Sequence, residues 1–447
     1  MVDVGSSTLP RCAVGLVKAI IGAGMLGLPF AFGQTGLLLG TSLLLLSALL
    51  QMFTCRLLTR CIAAAASTSR SAVTYASLAD LCFDGNASAR AAVDATIALG
   101  CFGFATSYLI VLGGLCPQVA FVCGITAGPL LLRQFWITFL GWAVCLPLMC
   151  ASSLDALRFS SIIGNIGALF IVIVTCCFAV GLLPVTHAPA AAVSLAPTVR
   201  PPYTSIAGMV ECLSIFVFAF SCAQNLPSLA HELAQPTQRR LDALIATGVG
   251  ISAVMYQATA WCGAVAFGAS VDANLLRSFP VDSSALAASV GTVARVAVVL
   301  NVGGGFPLYM HPARTSLSGL VFGKLPTELS KFRWAALTGS LFVASWLLAI
   351  VIESLDTAMA FIGSTTTLAM NYLLPAIFYI KMHRGPTARA AASQPSGLGE
   401  ETEYILYGSK EAAPSGAMMR GAHMLVVMVV VMMPLMVGLQ LWKLLSQ

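Results

Sequence analysis

Long stretches without charge limit this chain to one class of fold. No Asp, Glu, Lys or Arg occurs in residues 19–55, 95–132 or 160–198. A helix needs about 20 apolar residues, at a rise of about 1.5 Å each, to cross the hydrocarbon core of a bilayer. Only 9% of the 447 residues are charged, whereas a soluble domain carries about 25%. The sequence therefore predicts an all-α, polytopic membrane protein.

Apolar windows bounded by charge, Gly or Pro predict eleven membrane helices. Their predicted bounds are approximately 12–33, 36–60, 91–123, 133–151, 159–183, 205–231, 241–268, 284–311, 334–352, 355–381 and 419–443. We expect one transmembrane domain over residues 1–447, since no second folded module fits between the windows. Its parts are a first repeat at about 12–183, a second repeat at about 205–381, a flexible cytosolic loop at about 382–418 and an extra helix at about 419–443.

The positions of Lys and Arg predict the orientation of the chain. Seventeen of the 23 basic residues fall in segments on the same side of the membrane as the N-terminus, four fall on the opposite side, and two lie within spans. Cytosolic loops carry an excess of Lys and Arg. We therefore predict a cytosolic N-terminus and an extracellular or lumenal C-terminus. The net charge of +6 is then an orientation signal and does not indicate nucleic-acid binding.

The first span carries an unusual number of residues that disfavour a helix. Residues 18–36 contain five glycines and a proline, grouped around Gly22-Ala23-Gly24-Met25-Leu26-Gly27. The sixth span is also disturbed, over residues 218–227, where Ser, Gln, Asn and Pro occur together. A helix in lipid must satisfy its own backbone, so a break is tolerated only where protein or a cavity supplies partners.

The two breaks are five helices apart, so a second group of five would run with inverted topology. Broken helices at matching places in inverted halves indicate a transporter site near the bilayer midplane. Backbone amides at the first break suit a carboxylate, and freed carbonyls at the sixth suit an ammonium. Glycines also permit close helix packing, which is the alternative reading of the first break taken alone. Together the breaks predict an α-amino acid as the ligand.

Four segments resemble the amino acid/auxin permease family, within the amino acid–polyamine–organocation superfamily. They are 17–29, 218–222 with 231–233, 306–317, and 363–375. The resemblance is nearest to the proton-coupled and vacuolar branches. It implies the five-plus-five inverted repeat of the bacterial leucine transporter, with broken helices 1 and 6, and amino-acid transport by alternating access. The substrate-binding residues that we predict are Gly22, Ala23, Gly24, Met25, Tyr108, Phe218, Ala219, Phe220 and Ser221.

The resemblance also bears on the coupling ion. Sodium-coupled members typically have Asn where Lys18 stands and hydroxyl residues where Gly303 and Gly305 stand. A lysine supplies no oxygen ligand and its charge repels sodium, so we predict Lys18 as a fixed cation in that region. The alternative is that its side chain extends to the cytosolic interface. Glu211, in the outer half of the sixth span, either gates the site, carries the coupling proton or pairs locally.

The sequence therefore predicts a secondary amino-acid transporter that is proton-coupled or facilitative and not sodium-coupled. Apolar residues at the breaks (Met25, Phe218 and Phe220) slightly favour neutral over cationic substrates. The alternative is an amino-acid sensor of the same fold that signals through a partner. We expect no cofactor, no metal site and no enzymatic activity, because neither CxxC pairs nor a catalytic constellation accompany the fourteen cysteines. The expected location is the plasma membrane or a vacuolar or lysosomal membrane.

Overall fold

A computed structural model describes residues 5, 7–68, 73–150, 156–184, 206–268, 271–281, 284–384 and 415–445. Ten of its helices are long and apolar enough to cross a membrane, and eleven when the bent first pair is counted as one span. The spans are span 1 (Leu9–Ile20 and Gly24–Thr35), span 2 (Leu37–Thr68), span 3 (Ala87–Val122), span 4 (Arg133–Leu140, Gly141–Cys145 and Leu146–Cys150), span 5 (Ala156–Ala179), span 6 (Ile206–Ala219, Ala223–Asn225 and Leu226–Glu232), span 7 (Gln238–Phe267), span 8 (Ala285–Phe322), span 9 (Lys331–Val351), span 10 (Leu355–Ile362, Gly363–Thr367, Ala369–Leu373 and Leu374–Arg384) and span 11 (Gly416–Leu445).

Among the described connections are two shorter α-helices, Tyr75–Cys82 before span 3 and Leu275–Ser278 before span 8. The predicted all-α polytopic fold and the count of eleven spans are confirmed. The predicted flexible loop at 382–418 falls mainly on residues 385–414, which lie outside the described part of the chain. Neither this loop nor the residue bounds predicted for the two repeats are tested by the fold, so these bounds and the loop remain predictions.

Span 8 is longer than predicted. It continues to Phe322 rather than ending near residue 311, and it contains both Pro307 and Pro312. A proline removes one backbone hydrogen bond, which ends most helices in water. Inside a bundle, neighbouring helices satisfy the freed carbonyls, and the helix continues. Its 38 residues correspond to about 57 Å at a rise of about 1.5 Å per residue.

Burial separates the spans into a central and a peripheral group. Spans 6 and 3 have 83% and 78% of their most apolar window buried, whereas spans 4 and 11 have 22% each. Apolar side chains of the peripheral group therefore face outward, as they do in a helix that contacts lipid. The central spans can carry polar side chains, because these reach protein partners there.

The segment before span 1 is attached to the end of span 6. The Ser7 N–H donates to the Glu232 carbonyl at 3.0 Å, and the Ala234 N–H donates to the Ser7 carbonyl at 2.9 Å. Gly5 lies against the same backbone, where a Cβ would overlap the Glu232 carbonyl. We call this end of the bundle the N-terminal face and the opposite end the far face.

Candidate substrate site at two helix breaks

Span 1 is interrupted midway by three residues that are not helical. Its first half, helix 1a (Leu9–Ile20), and its second half, helix 1b (Gly24–Thr35), meet at an angle of 56°. Gly22 lies in this break, and the Tyr108 hydroxyl from span 3 occupies the space that a side chain at Gly22 would need. The break therefore depends on glycine, as the sequence indicates, and it brings Gly22 against Tyr108.

Span 6 is interrupted at the same depth by an extended turn. Helix 6a (Ile206–Ala219) ends there, and helix 6b (Leu226–Glu232) begins after one turn of 3-10 helix. Asn371 of span 10 supports the turn: its Oδ1 accepts from the Ala223 N–H at 3.1 Å, and its Nδ2 donates to Ser221 Oγ at 2.8 Å. In a continuous helix the Ala223 N–H would donate to the Ala219 carbonyl. A side chain from another span has replaced that acceptor.

The two breaks lie in direct contact. A Cβ on Gly24 would be 2.6 Å from Ala219 Cα and 3.3 Å from Phe218 Cδ1. The hydroxyl of Tyr256, from span 7, lies 2.7 Å from the Ile20 carbonyl oxygen and 2.9 Å from the Ala219 carbonyl oxygen. The ends of helices 1a and 6a therefore point their last carbonyls at one atom.

Aromatic rings form one wall beside the breaks. Phe104 stacks on Phe218 with ring centroids 4.5 Å apart and on Tyr309 at 5.0 Å, and Tyr108 meets Tyr309 edge-on at 5.3 Å. The Tyr309 hydroxyl also donates to the Ala19 carbonyl at 3.3 Å. This wall is uncharged and largely apolar, which suits a neutral side chain.

Lys18 is buried inside the bundle, one turn before the break in span 1. Its ammonium donates to the main-chain oxygen of Asn301 at 3.1 Å and also to the Asn301 side-chain oxygen. A Cβ on Gly164 of span 5 would lie 2.6 Å from Lys18 Nζ, and one on Gly305 would lie 3.6 Å from it. Glycines in spans 5 and 8 thus make room for the ammonium, which lies within the protein rather than at the membrane interface.

Most of the predicted binding residues come together here. Phe220 packs edge-on against Tyr256 with centroids 5.2 Å apart, Ser221 contacts Asn371, and Met25 is buried in the first turn of helix 1b. Glu211 is buried too, but it lies in helix 6a about 12 Å before the break. The structure places it away from the contact between the two breaks.

Two rings of the wall, Phe104 and Tyr309, were not predicted. Three further contributors to the site were not predicted either: Tyr256, Asn301 and Asn371. Each is a polar side chain in the middle of an apolar span, which is the available sequence signal for a functional position in a membrane helix. Their partners lie 236, 283 and 148 residues away along the chain. No local spacing rule connects residues at such separations.

A separate cavity of about 160 Å³ opens toward the far face. Its charged lining residues are Asp272, Arg277, Glu353 and Asp356. Arg277 pairs with Asp272 at 3.7 Å. The cavity lies between span 3, the segment 272–277 that includes the start of helix Leu275–Ser278, and the beginning of span 10.

Eleven spans with two broken helices in contact define a fold of the leucine-transporter type. A solved structure with this fold is MhsT in complex with L-phenylalanine, which aligns with a TM-score of 0.61 at 13% identity over 96% of this chain and 99% of that one. The predicted five-plus-five fold class is thereby confirmed.

Sequence comparison identifies the family. Residues 5–394 match the family described as transmembrane amino acid transporter protein. The chain is 30% identical to vacuolar amino acid transporter 5 of Schizosaccharomyces pombe, over 86% of this chain and 87% of that protein. It is 24% identical to vacuolar amino acid transporter 6 of Saccharomyces cerevisiae, over 82% and 88%. The chain belongs to the transmembrane amino acid transporter family, and it is a transporter and not an enzyme.

Proposed function

We propose that the chain moves amino acids across a membrane by alternating access, with the substrate held where the two helix breaks meet. The contact of Gly24 with Ala219 is the observation that carries this proposal. Gly22, Ala23, Gly24 and Met25 supply the backbone N–H groups that begin helix 1b, and such groups bind a carboxylate. The carbonyls that end helices 1a and 6a are acceptors for the ammonium of the same molecule.

The wall beside the breaks supports neutral amino acids over cationic ones. Phe104, Tyr108, Phe218 and Tyr309 offer rings and hydroxyls but no negative charge. A cationic side chain buried there without a carboxylate would lose its hydration with little compensation. In this proposal Glu211, about 12 Å away along helix 6a, acts on entry or on the coupling proton rather than on the bound side chain.

We further propose that sodium does not drive transport. The two Asn301 oxygens are hard ligands of the kind that sodium prefers, and the Lys18 ammonium already occupies them. A fixed positive charge at this place repels a second cation. Transport is then proton-coupled or facilitative.

Uptake into proteoliposomes tests both proposals. The purified protein is given a panel of labelled amino acids under an imposed sodium gradient, an imposed pH gradient, or neither. We expect uptake of neutral amino acids with a pH gradient or none, and no response to sodium. A strict requirement for external sodium would contradict the coupling proposal. Binding of an amino acid without accumulation under any gradient would instead favour the sensor of the same fold.

The charge distribution and the relatives support a location. Seventeen of 23 basic residues lie on the side that we assign to the cytosol, together with the N-terminus, and two relatives are named vacuolar transporters. We therefore propose a vacuolar-type membrane with a lumenal C-terminus rather than the plasma membrane. Microscopy of a tagged chain, with protease protection of an epitope at each end, tests the location and the orientation separately.

A further inference from the structure

The hydroxyl of Tyr256 contacts both helix breaks. Tyr256 is completely buried in span 7, and its ring packs edge-on against Phe220. Its hydroxyl oxygen is 2.7 Å from the Ile20 carbonyl oxygen and 2.9 Å from the Ala219 carbonyl oxygen. Span 7 is itself unbroken, so it provides a fixed base for this hydroxyl.

The two carbonyls are equivalent positions in the two broken helices. Ile20 is the last residue of helix 1a, and Ala219 is the last residue of helix 6a. In continuous helices these carbonyls would accept from residues 24 and 223, but residue 24 now begins helix 1b and residue 223 begins the 3-10 turn before helix 6b. Since both oxygens lie within hydrogen-bond distance of one atom, they are less than about 6 Å apart.

One hydroxyl carries one proton, whereas two carbonyls accept from it. A tyrosine donates a single hydrogen bond and also has lone pairs that can accept. The proton therefore fully satisfies one carbonyl at a time, and acceptor capacity remains at the other carbonyl. A buried acceptor without a donor is destabilising. A primary ammonium has three N–H donors and matches this deficit.

We propose that Tyr256 is the positioning residue of the amine subsite, holding the last carbonyls of helices 1a and 6a around a primary ammonium. The inference rests on the proposed function, because it concerns the same substrate site. The arrangement recognises the number of N–H donors on the ligand. An N-methyl amino acid offers one donor fewer and adds a methyl group, and an α-hydroxy acid offers a single neutral donor, so both bind less well than the free amine.

The test is uptake by Tyr256→Phe in proteoliposomes, with a neutral amino acid that the wild-type protein carries. We expect the KM to rise about tenfold while kcat stays within about twofold, because a bond to a charged group is worth about 1.5–3 kcal/mol. Preference for the free amine over its N-methyl analogue should fall by a similar factor. Tyr379→Phe is the matched control, since its hydroxyl is also buried but has no hydrogen-bond partner, and it should behave as wild type.

A second substitution separates positioning from folding. Replacing Tyr256 with 4-aminophenylalanine by amber suppression restores two N–H donors at the same point. The KM of this variant should return close to the wild-type value. An unchanged KM and unchanged amine preference in Tyr256→Phe would overturn the proposal. A fall in kcat or in folded protein with an unchanged KM would also overturn it, in favour of a structural role. Wild-type protein that carries no amino acid would refute the proposed function instead.

Discussion

The two helix breaks are built by different means. The break in span 1 is made by glycine, with Gly22 against the Tyr108 hydroxyl and Gly24 against the backbone of helix 6a. The break in span 6 has Phe, Ser, Cys and Gln side chains, and it is held by Asn371 from a distant span. One break is thus created by the absence of side chains, and the other by a side chain that caps it.

This difference explains the orientation that we propose for the bound amino acid, with its carboxylate at span 1. At span 6 the Ala223 amide is taken by Asn371, so the backbone donor there is no longer available to an anion. At span 1 the amides of Ala23, Gly24 and Met25 have no such side chain among the contacts of the described residues. A carboxylate is then better held at span 1, which leaves the carbonyls shared by both breaks for the ammonium.

The largest effect is expected where the two breaks touch. Gly24→Ala places a methyl group 2.6 Å from Ala219 Cα, which is backbone and can move only by separating the breaks. We expect uptake to fall about 100-fold or more. Gly250→Ala, in span 7, adds the same group where nothing lies within 4 Å, and it should change uptake less than about twofold. Wild-type uptake by Gly24→Ala in correctly folded protein would show that the contact is dispensable.

Removal of the cap on span 6 should have the next largest effect. Asn371→Leu leaves the buried Ala223 amide without its acceptor, at about 1–3 kcal/mol, so uptake should fall by about tenfold to a hundredfold. Thermal unfolding of the detergent-solubilised protein should shift to lower temperature in parallel. Thr367→Val is the control in the same part of span 10, because the Thr367 hydroxyl has no partner while its carbonyl still accepts from Asn371. Equal losses in both variants would argue against a specific cap.

A smaller effect is expected when the Ser221 hydroxyl, which Asn371 contacts, is removed. Ser221→Ala removes the acceptor at 2.8 Å from Asn371 Nδ2, but Asn371 keeps its bonds to the Ala223 N–H and the Thr367 carbonyl. We expect uptake to decrease by about twofold to tenfold, in line with about 0.5–1.5 kcal/mol for one hydrogen bond. Initial rates at saturating and low substrate concentrations would measure it. A loss as great as that of Asn371→Leu would mean that Ser221 contacts the substrate directly.

The smallest effect should come from Tyr309→Phe. Its hydroxyl donates to the Ala19 carbonyl at 3.3 Å, a longer bond to a residue that is still helical. Its ring remains stacked on Phe104 in the variant. We expect the KM to change less than about threefold, well below the change for Tyr256→Phe. Similar KM changes in the two variants would remove the distinction between a carbonyl at a break and one inside a helix.

Much of the fold was accessible from the sequence, because membrane helices leave long uncharged windows. The break in span 1 was also accessible, since several glycines in one span disfavour a continuous helix. The end of span 8 was predicted wrongly, because a proline stops a helix in water but not in a bundle that supplies partners.

The roles of Asn371, which caps the break in span 6, and of Tyr256, which contacts both breaks, could not be predicted in the same way. Asn371 and Tyr256 act on backbone groups 148 and 37 or more residues away, and the choice of partner is made by packing of the spans. The same holds for Asn301 beside Lys18, 283 residues apart. A single sequence shows that a polar residue stands in an apolar span, but not which group it contacts.

The attachment of Ser7 to the end of span 6 has a consequence for the balance between conformations. Any state in which Ser7 leaves the end of span 6 gives up two backbone hydrogen bonds, each worth about 0.5–1.5 kcal/mol. Together these bonds, at about 1–3 kcal/mol, shift the population toward the attached state by about fivefold to 150-fold. The backbone of Ser7 therefore helps to keep the N-terminal face of the bundle in the attached conformation.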